Sequence, residues 1–262
     1  PSYADEICTA FYGEKLDDVF RGRRHLLHGI LNGIDTSVYD PQSDPMIAAH
    51  YSVDDISGKA ANKAALQKRL GLKKRARTPL LAVVSRLTEQ KGFGLVLHIM
   101  RELMQESVQL VVLGVGDEKY ERAFRQLAEE MPDKVSANIC FDDALSHLIY
   151  AGADMVLVPS LFEPCGLSQM FAMRYGALPV VRETGGLRDS VEPYNKYEHT
   201  GTGFSFANYN AHELLFTLKD AMTLYHRRRA EWEAMVLRAM NKDFSWGASA
   251  KQYMDLYTEL LK

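Results

Sequence analysis

Cysteine is scarce, with three residues in 262, at positions 8, 140 and 165. An odd number at such wide spacing argues against a disulfide framework and against the paired ligand spacings of a zinc site. It suits a reducing compartment, so a cytoplasmic location is expected. Long apolar runs are missing too, and nothing approaches the roughly 18 residues that a membrane-spanning helix needs. The opening Pro1-Ser2-Tyr3-Ala4-Asp5-Glu6 lacks the basic-then-apolar pattern of a signal peptide. Without an initiator methionine, it is expected to lie part-way along a longer protein. Nor is there an excess of either charge: 31 Lys and Arg face 34 Asp and Glu, for a net −3. No nucleic-acid or membrane partner is expected from that balance. The one basic run, Arg227-Arg228-Arg229, reads either as the solvated end of a helix or as a patch for phosphate or glucan.

What is present is ordinary for a chain with a real core: 47% apolar and 25% charged residues, enough for one large domain or two modest ones. Apolar runs rich in β-formers recur at Leu80–Val84, Gln109–Leu113, Met155–Val158 and Leu178–Val181, with a weaker one at Val135–Cys140. They lack polar alternation, as strands buried on both faces of a parallel sheet do. Between them lie helical patterns. Val96, Ile99, Met100 and Leu103 share a face, as do Tyr120, Ala123, Phe124, Leu127 and Met131. After Phe206 a stripe of Leu214, Leu215, Leu218, Ala221, Met222 and Tyr225 predicts a helix, and a final helix is expected from Trp246 to Leu261, capped by Ser245. Upstream, the pattern predicts a strand at Leu26–Leu31, a turn at Asn32-Gly33 and a charged helix around Lys59–Leu70. The rhythm of strand and helix gives βαβ units and an α/β, doubly wound parallel sheet, whose ligands sit in loops at the carboxyl ends of the strands.

Four such loops carry polar residues. Arg86 and Lys91, after the first strand, either bind a diphosphate or are solvated surface charges. Gly114-Val115-Gly116 opens like a dinucleotide fingerprint but has Lys119 where the third glycine belongs, so it is a tight turn or a place of close backbone approach. In Glu163-Pro164-Cys165-Gly166-Leu167-Ser168, the amides of Gly166 to Ser168 face an anion if Ser168 caps the next helix. Glu163 there grips sugar hydroxyls or simply caps or pairs, and Cys165 also reads as an inert buried thiol. Thr184-Gly185-Gly186-Leu187 is a second amide-rich anion site or a plain turn. All four loops are expected on one edge of the sheet.

Taken together, Arg-Leu-Thr-x-Gln-Lys-Gly at 86–92, Glu-Pro-Cys-Gly-Leu at 163–167 and Thr-Gly-Gly-Leu at 184–187 resemble the bacterial glycogen/starch synthase family. Leu-Asn-Gly-Ile-Asp at 31–35 and Asp-Phe-Ser-Trp at 243–246 extend the resemblance nearly from end to end. It implies the C-terminal Rossmann-like domain of a GT-B glycosyltransferase: a retaining glucosyltransferase, needing no metal or cofactor, that moves glucose from ADP-glucose to the non-reducing end of an α-1,4-glucan. By resemblance, Arg86 and Lys91 bind the diphosphate and stabilise the leaving ADP. Glu163, aided by Cys165, Gly166 and Leu167, holds the glucose, and Ser168 touches phosphate. Thr184, Gly185 and Gly186 are assigned to the substrate, and Asn32 lies at the cleft floor. Phe141 stacks on adenine, unless it packs in the core. Phe171 stands eight positions after Glu163, near where many other GT-B transferases carry a second glutamate, which sets this chain apart from sucrose-, trehalose- and lipopolysaccharide-type enzymes.

The family's Lys-x-Gly-Gly-Leu loop and cleft histidine, which belong to an N-terminal acceptor-side domain, have no counterpart here. The expected organisation is therefore 1–30 as the tail end of that missing domain, 31–245 as the nucleotide-sugar-binding domain and 246–262 as a crossover helix. Such a half would bind ADP or ADP-glucose weakly and turn over little alone. Competing readings are another GT-B glycosyltransferase and a non-catalytic module binding sugar nucleotide or glucan. An NAD-dependent dehydrogenase is disfavoured by the missing glycine and the missing acidic ribose partner.

Overall fold

The five apolar runs all become strands, joined by a sixth that the pattern did not reveal. The computed structural model describes residues 1–261. The chain opens with two short helices, α1 (Ser2–Glu6) and α2 (Asp17–Gly22), and an irregular stretch that leads to α3 (Gly58–Arg69). It then alternates β1 (Leu80–Val84), α4 (Phe93–Leu103), β2 (Gln109–Leu113), α5 (Glu118–Glu130), β3 (Val135–Asn138), α6 (Asp143–Gly152), β4 (Met155–Val158) and α7 (Ser168–Arg174). After β5 (Leu178–Arg182), α8 (Gly185–Ser190) and β6 (Phe204–Phe206) come α9 (Ala211–Arg227), α10 (Arg229–Met240) and α11 (Trp246–Leu260). The strands form one parallel sheet in the order β3-β2-β1-β4-β5-β6. This is the doubly wound order, in which the direction of winding reverses between β1 and β4 and opens a crevice at their carboxyl ends.

The absence of alternation in the strand sequences is explained by burial. Every residue of β2, β4 and β5 is buried, because helices cover both faces of the sheet. Leu80, Leu81, Leu110, Met155, Val156 and Leu178 have no accessible surface, and each such side chain contributes about 1.5–3 kcal/mol of burial free energy. The predicted helical stripes face this sheet: Val96, Ile99, Met100 and Leu103 on α4, and Leu214, Leu215, Leu218, Ala221, Met222 and Tyr225 on α9. Ser245 caps α11 by accepting from the Ala248 amide, and Asn210 caps α9 through the amides of His212 and Glu213.

Two expectations need correction, and one open reading is decided. The predicted strand at Leu26–Leu31 does not form: Arg24–Leu26 is a 3-10 turn, and the chain beyond it finds no sheet edge to pair with. It is tied down instead by the Ser249 hydroxyl donating to the Leu31 carbonyl at 2.8 Å and by Ile34 N–H donating to Phe244 O at 2.8 Å. The run Val135–Cys140 is a strand only to Asn138, whose carbonyl accepts the Gly114 amide, so Ile139 and Cys140 already belong to the loop. The basic run straddles the break between α9 and α10, where Arg228 pairs with Glu231 at 2.6 Å and Arg229 with Glu233 at 2.9 Å. That is the solvated helix end.

Among the described residues no helix is long and apolar enough to cross a membrane. The last helix, α11, leaves Trp246, Tyr253, Tyr257 and Leu260 exposed and buries only Ser249.

Candidate active site

The reversal point between β1 and β4 fixes where chemistry can occur, because the loops leaving these two strands must diverge there. Arg86 leaves β1 and Glu163 leaves β4. Between the two strands, Lys91 reaches across from the end of the β1 loop and forms an ion pair with the Glu163 carboxylate, whose side chain is 8% exposed. The Ser160 hydroxyl donates to the same carboxylate oxygen at 3.1 Å. The two loops are stitched together by Leu161 N–H donating to Gln90 O at 2.8 Å and by the Gln90 amide donating to Phe162 O at 3.2 Å. Neither loop is free to drift, so the pair is built in rather than a chance surface contact.

Beside this pair lies a cavity of about 320 Å³, walled by Tyr39, Val84, Arg86, Phe141, Tyr150, Ser168 and Phe171. A small hollow of about 30 Å³, containing Lys91, Glu163, Gly166 and Leu167, adjoins it and shares Val84, Ser85 and Ser168 as a common wall. Arg86, Lys91, Glu163, Phe141 and Gly166–Ser168 therefore gather on one rim. The back wall of the larger cavity is aromatic. Tyr39 and Phe171 stack with ring centroids 3.8 Å apart, and Tyr150 packs on Phe171 at 5.7 Å. Burial pushes the Tyr39 and Tyr150 hydroxyls up from their ordinary values, so both stay neutral hydrogen-bonding groups.

Phe141 is 91% exposed at the mouth of this cavity. It is not a core residue. A phenyl ring held in solvent beside a concave aromatic wall is placed to cover a flat ligand. Phe141→Ala is expected to leave the unfolding temperature unchanged while weakening the binding of any flat ligand stacked there about 3- to 10-fold, from the usual worth of one aromatic stack. Thermal unfolding and calorimetry on the same preparation check both halves of that statement.

Several residues take up other roles than expected. Ser168 does not cap α7; it is its first residue, and its hydroxyl donates to Val84 O at 3.1 Å. The turn before α7 is secured instead by Gln169, whose amide donates to the carbonyls of Cys165 and Gly166 at 3.0 and 2.9 Å. Asn32 comes to this turn, and its backbone N–H donates to the Cys165 sulfur at 3.3 Å. Burial pushes the Cys165 thiol up and favours its protonated form, against the opposing pull of the Asn32 N–H. At Gly114 an added methyl would sit 1.8 Å from the Ser85 carbonyl. The Gly-x-Gly thus serves the close approach of one loop to another: Leu87 N–H donates to Val115 O at 2.9 Å and Asp117 N–H to Leu87 O at 2.8 Å. Thr184, Gly185 and Gly186 lie outside both hollows, because a carboxylate of this chain already occupies their turn. Glu6 accepts from the Thr184 hydroxyl at 3.0 Å and the Gly185 amide at 2.8 Å.

Residues 66–234 match the model of a known family, the group 1 glycosyl transferases. The chain belongs to that family. Among curated relatives, this glycosyl transferase domain is 52% identical to the glycogen synthase of Streptococcus sanguinis over 261 residues, covering all of this chain and 55% of that protein. It is equally similar to the glycogen synthase of Geobacillus stearothermophilus, 52% over 262 residues and 54% of that protein. The chain thus spans about half the length of the curated relatives it matches. Among solved structures, the catalytic domain of starch synthase IV from Arabidopsis thaliana, bound to ADP and acarbose, superposes with a TM-score of 0.93 at 38% identity, over 99% of this chain and 54% of that one. An Anabaena protein solved with UDP-glucose shares the fold, with a TM-score of 0.67 at 18% identity over 95% of this chain and 62% of that one.

The sequence does not mark out Tyr39, which walls the cavity with Phe171, nor Ser160 and Gln169, which are buried and hold Glu163 and the turn before α7. In the sequence Phe171 reads only as the absence of a second glutamate; in the fold its ring completes an apolar wall against Tyr39.

Proposed function

We propose that this chain is the donor-binding half of a cytoplasmic glycogen (starch) synthase, transferring glucose from ADP-glucose to the non-reducing end of an α-1,4-glucan with retention. The observation that carries the reading is the meeting of Lys91 and Glu163 at the β1/β4 reversal point, beside an aromatic cavity that also holds Arg86. A nucleoside diphosphate sugar presents a flat base, two phosphates and a polyhydroxylated ring. The aromatic wall and Phe141 suit the base, the two cations suit the phosphates, and the carboxylate suits the hydroxyls.

The ion pair gives the site its order of events. In the ligand-free rim Lys91 neutralises Glu163; a diphosphate draws the ammonium toward itself, which frees the carboxylate oxygens to accept from glucose hydroxyls. As the sugar–phosphate bond breaks, negative charge grows on the departing ADP, and Arg86 and Lys91 stabilise that charge more than they stabilise the ground state. The acceptor's 4-hydroxyl attacks from the same face and its proton passes to the departing phosphate, with no protein nucleophile required.

The acceptor side is assigned to the half that this chain does not contain, with residues 1–30 as the tail end of that domain, 31–245 as the donor domain and 246–262 as a crossover helix. The exposed Trp246, Tyr253, Tyr257 and Leu260 of α11 give that helix an apolar face for it.

Calorimetric titration of the chain with ADP, UDP and their glucose conjugates tests the reading. Binding of ADP and ADP-glucose, with the uridine ligands weaker by about tenfold or more, is the expected result. Preference for the uridine ligands moves the donor to UDP-glucose, and no binding of any of the four removes the site.

A further inference from the structure

The loop that carries Glu163 is irregular from Pro159 to Leu167, so its shape must be imposed by neighbours. Besides the Gln90 and Gln169 contacts already described, two neighbours do this, and both come from β5 and the turn after it. Arg182, 6% exposed, donates its Nε to Ser160 O at 2.9 Å and an Nη2 to Leu161 O. Gly186 N–H donates to Glu163 O at 2.9 Å. The fit is close: Gly185 has φ +44°, and a methyl there would lie 2.1 Å from the Glu163 carbonyl.

Both supports are in turn held by the first twelve residues. The Glu6 carboxylate takes the Thr184 hydroxyl at 3.0 Å and the Gly185 amide at 2.8 Å. The Tyr12 hydroxyl accepts from Arg182 Nη2 at 2.9 Å. Ser2 adds its N–H and hydroxyl to Asp189, on α8, at 2.9 and 2.6 Å. The Gln90 end of the Arg86 loop is tied to the Glu163 loop, but next to Arg86 the chain is held at Leu87 by the Val115 carbonyl and the Asp117 amide of the β2 loop.

We infer that Glu6 and Tyr12 are positioning residues for the donor sugar, setting the Glu163 loop through Gly185–Gly186 and through Arg182. The inference rests on the donor-site reading above and deepens it. Neither residue reaches the hollow; each acts by fixing backbone on which the sugar-facing carboxylate stands. Since residues 1–30 are proposed to continue into the acceptor-side domain, the strap also gives that domain a direct mechanical hold on the donor loop.

A purely structural cap on α8 and a positioning strap make different predictions. Loss of a cap lowers stability and leaves ligand discrimination alone. Loss of the strap weakens the contact to glucose and spares the contact to diphosphate. ADP and ADP-glucose are titrated calorimetrically into the wild-type chain, Glu6→Ala and Tyr12→Phe. The expected result is that Glu6→Ala loses about tenfold in ADP-glucose affinity while ADP affinity stays within about twofold, the loss corresponding to a misplaced charge-assisted hydrogen bond. An unchanged ratio of the two affinities overturns the inference. Should Glu6→Ala not fold, Tyr12→Phe, which removes one hydroxyl, decides on the same ratio: selective loss supports the strap and an unchanged ratio rejects it. Failure of the wild-type chain to bind ADP sinks the donor-site reading itself, before any variant is measured.

Discussion

Arg86→Ala is expected to weaken ADP binding by about 10- to 100-fold, the usual worth of charge-assisted hydrogen bonds to phosphate. It is also expected to leave the unfolding transition where it was. The side chain is exposed, and among the described residues its guanidinium has no ion-pair partner, so nothing in the fold depends on it. Lys91→Ala provides the contrast. It strips the partner from a Glu163 side chain only 8% exposed, and an uncompensated buried carboxylate costs about 3–5 kcal/mol. The two cations therefore separate in the melting curve while behaving alike toward the nucleotide. In a protein carrying both halves, either change is expected to lower the transfer rate by about 10²–10³, since each removes a donor to the charge that develops on the leaving group. Steady-state rates at saturating donor, calorimetry with ADP and thermal unfolding make the comparison. A large loss of stability in Arg86→Ala with unchanged ADP affinity would return that residue to a structural role.

The ease with which the sheet was read from sequence has a simple cause. Strands such as β2 (Gln109–Leu113) are buried on both faces, so composition alone marks them. Where burial is one-sided or absent the signal fails. Phe204-Ser205-Phe206 is a three-residue edge strand that alternates, too short to register. Leu26–Leu31 has strand-like residues but no neighbouring strand, and Leu26 is left 62% exposed; propensity was overridden by the lack of a partner. The site was legible to the extent that its residues sit within motifs on strand-end loops. Arg86, Lys91 and Glu163 stand out as candidates that way, and the fold brings them to one rim. What the sequence did not disclose is pairing across the chain. Glu6 and Thr184 lie 178 positions apart, and no local pattern announces that the carboxylate fills the turn which otherwise reads as a ligand site. Tyr39 likewise lies in an irregular stretch, and its stacking on Phe171 follows only from the fold.

The opposite edge of the same sheet separates stability from binding, and Asp154→Ala is the variant that shows it. At the entrance to β4, Asp154 Oδ2 accepts from Lys63 Nζ at 2.5 Å and from Leu80 N–H at 2.8 Å, with side-chain exposures of 10% for Asp154 and 7% for Lys63. The ammonium completes its shell with Thr78 O at 2.6 Å and Tyr225 OH at 3.1 Å. One ion pair thus joins α3, the entrances of β1 and β4, and α9. Removing the carboxylate leaves a charged lysine buried against carbonyls, at an expected cost of about 3–5 kcal/mol. That is a large part of the roughly 5–15 kcal/mol by which domains of this kind are stable. Removing both charges, as in Lys63→Met with Asp154→Leu, is expected to cost less than the single change, because no unpaired charge remains. Urea unfolding monitored by circular dichroism gives both values. If the double variant is as unstable as the sum of the two single changes, the pair is not coupled and the argument fails. The folded fraction of Asp154→Ala should bind ADP as the wild type does, since Asp154 lies at the amino end of β4 and the Lys91–Glu163 pair beyond its carboxyl end, so the buried pair holds the sheet that the rim is built on without entering the rim.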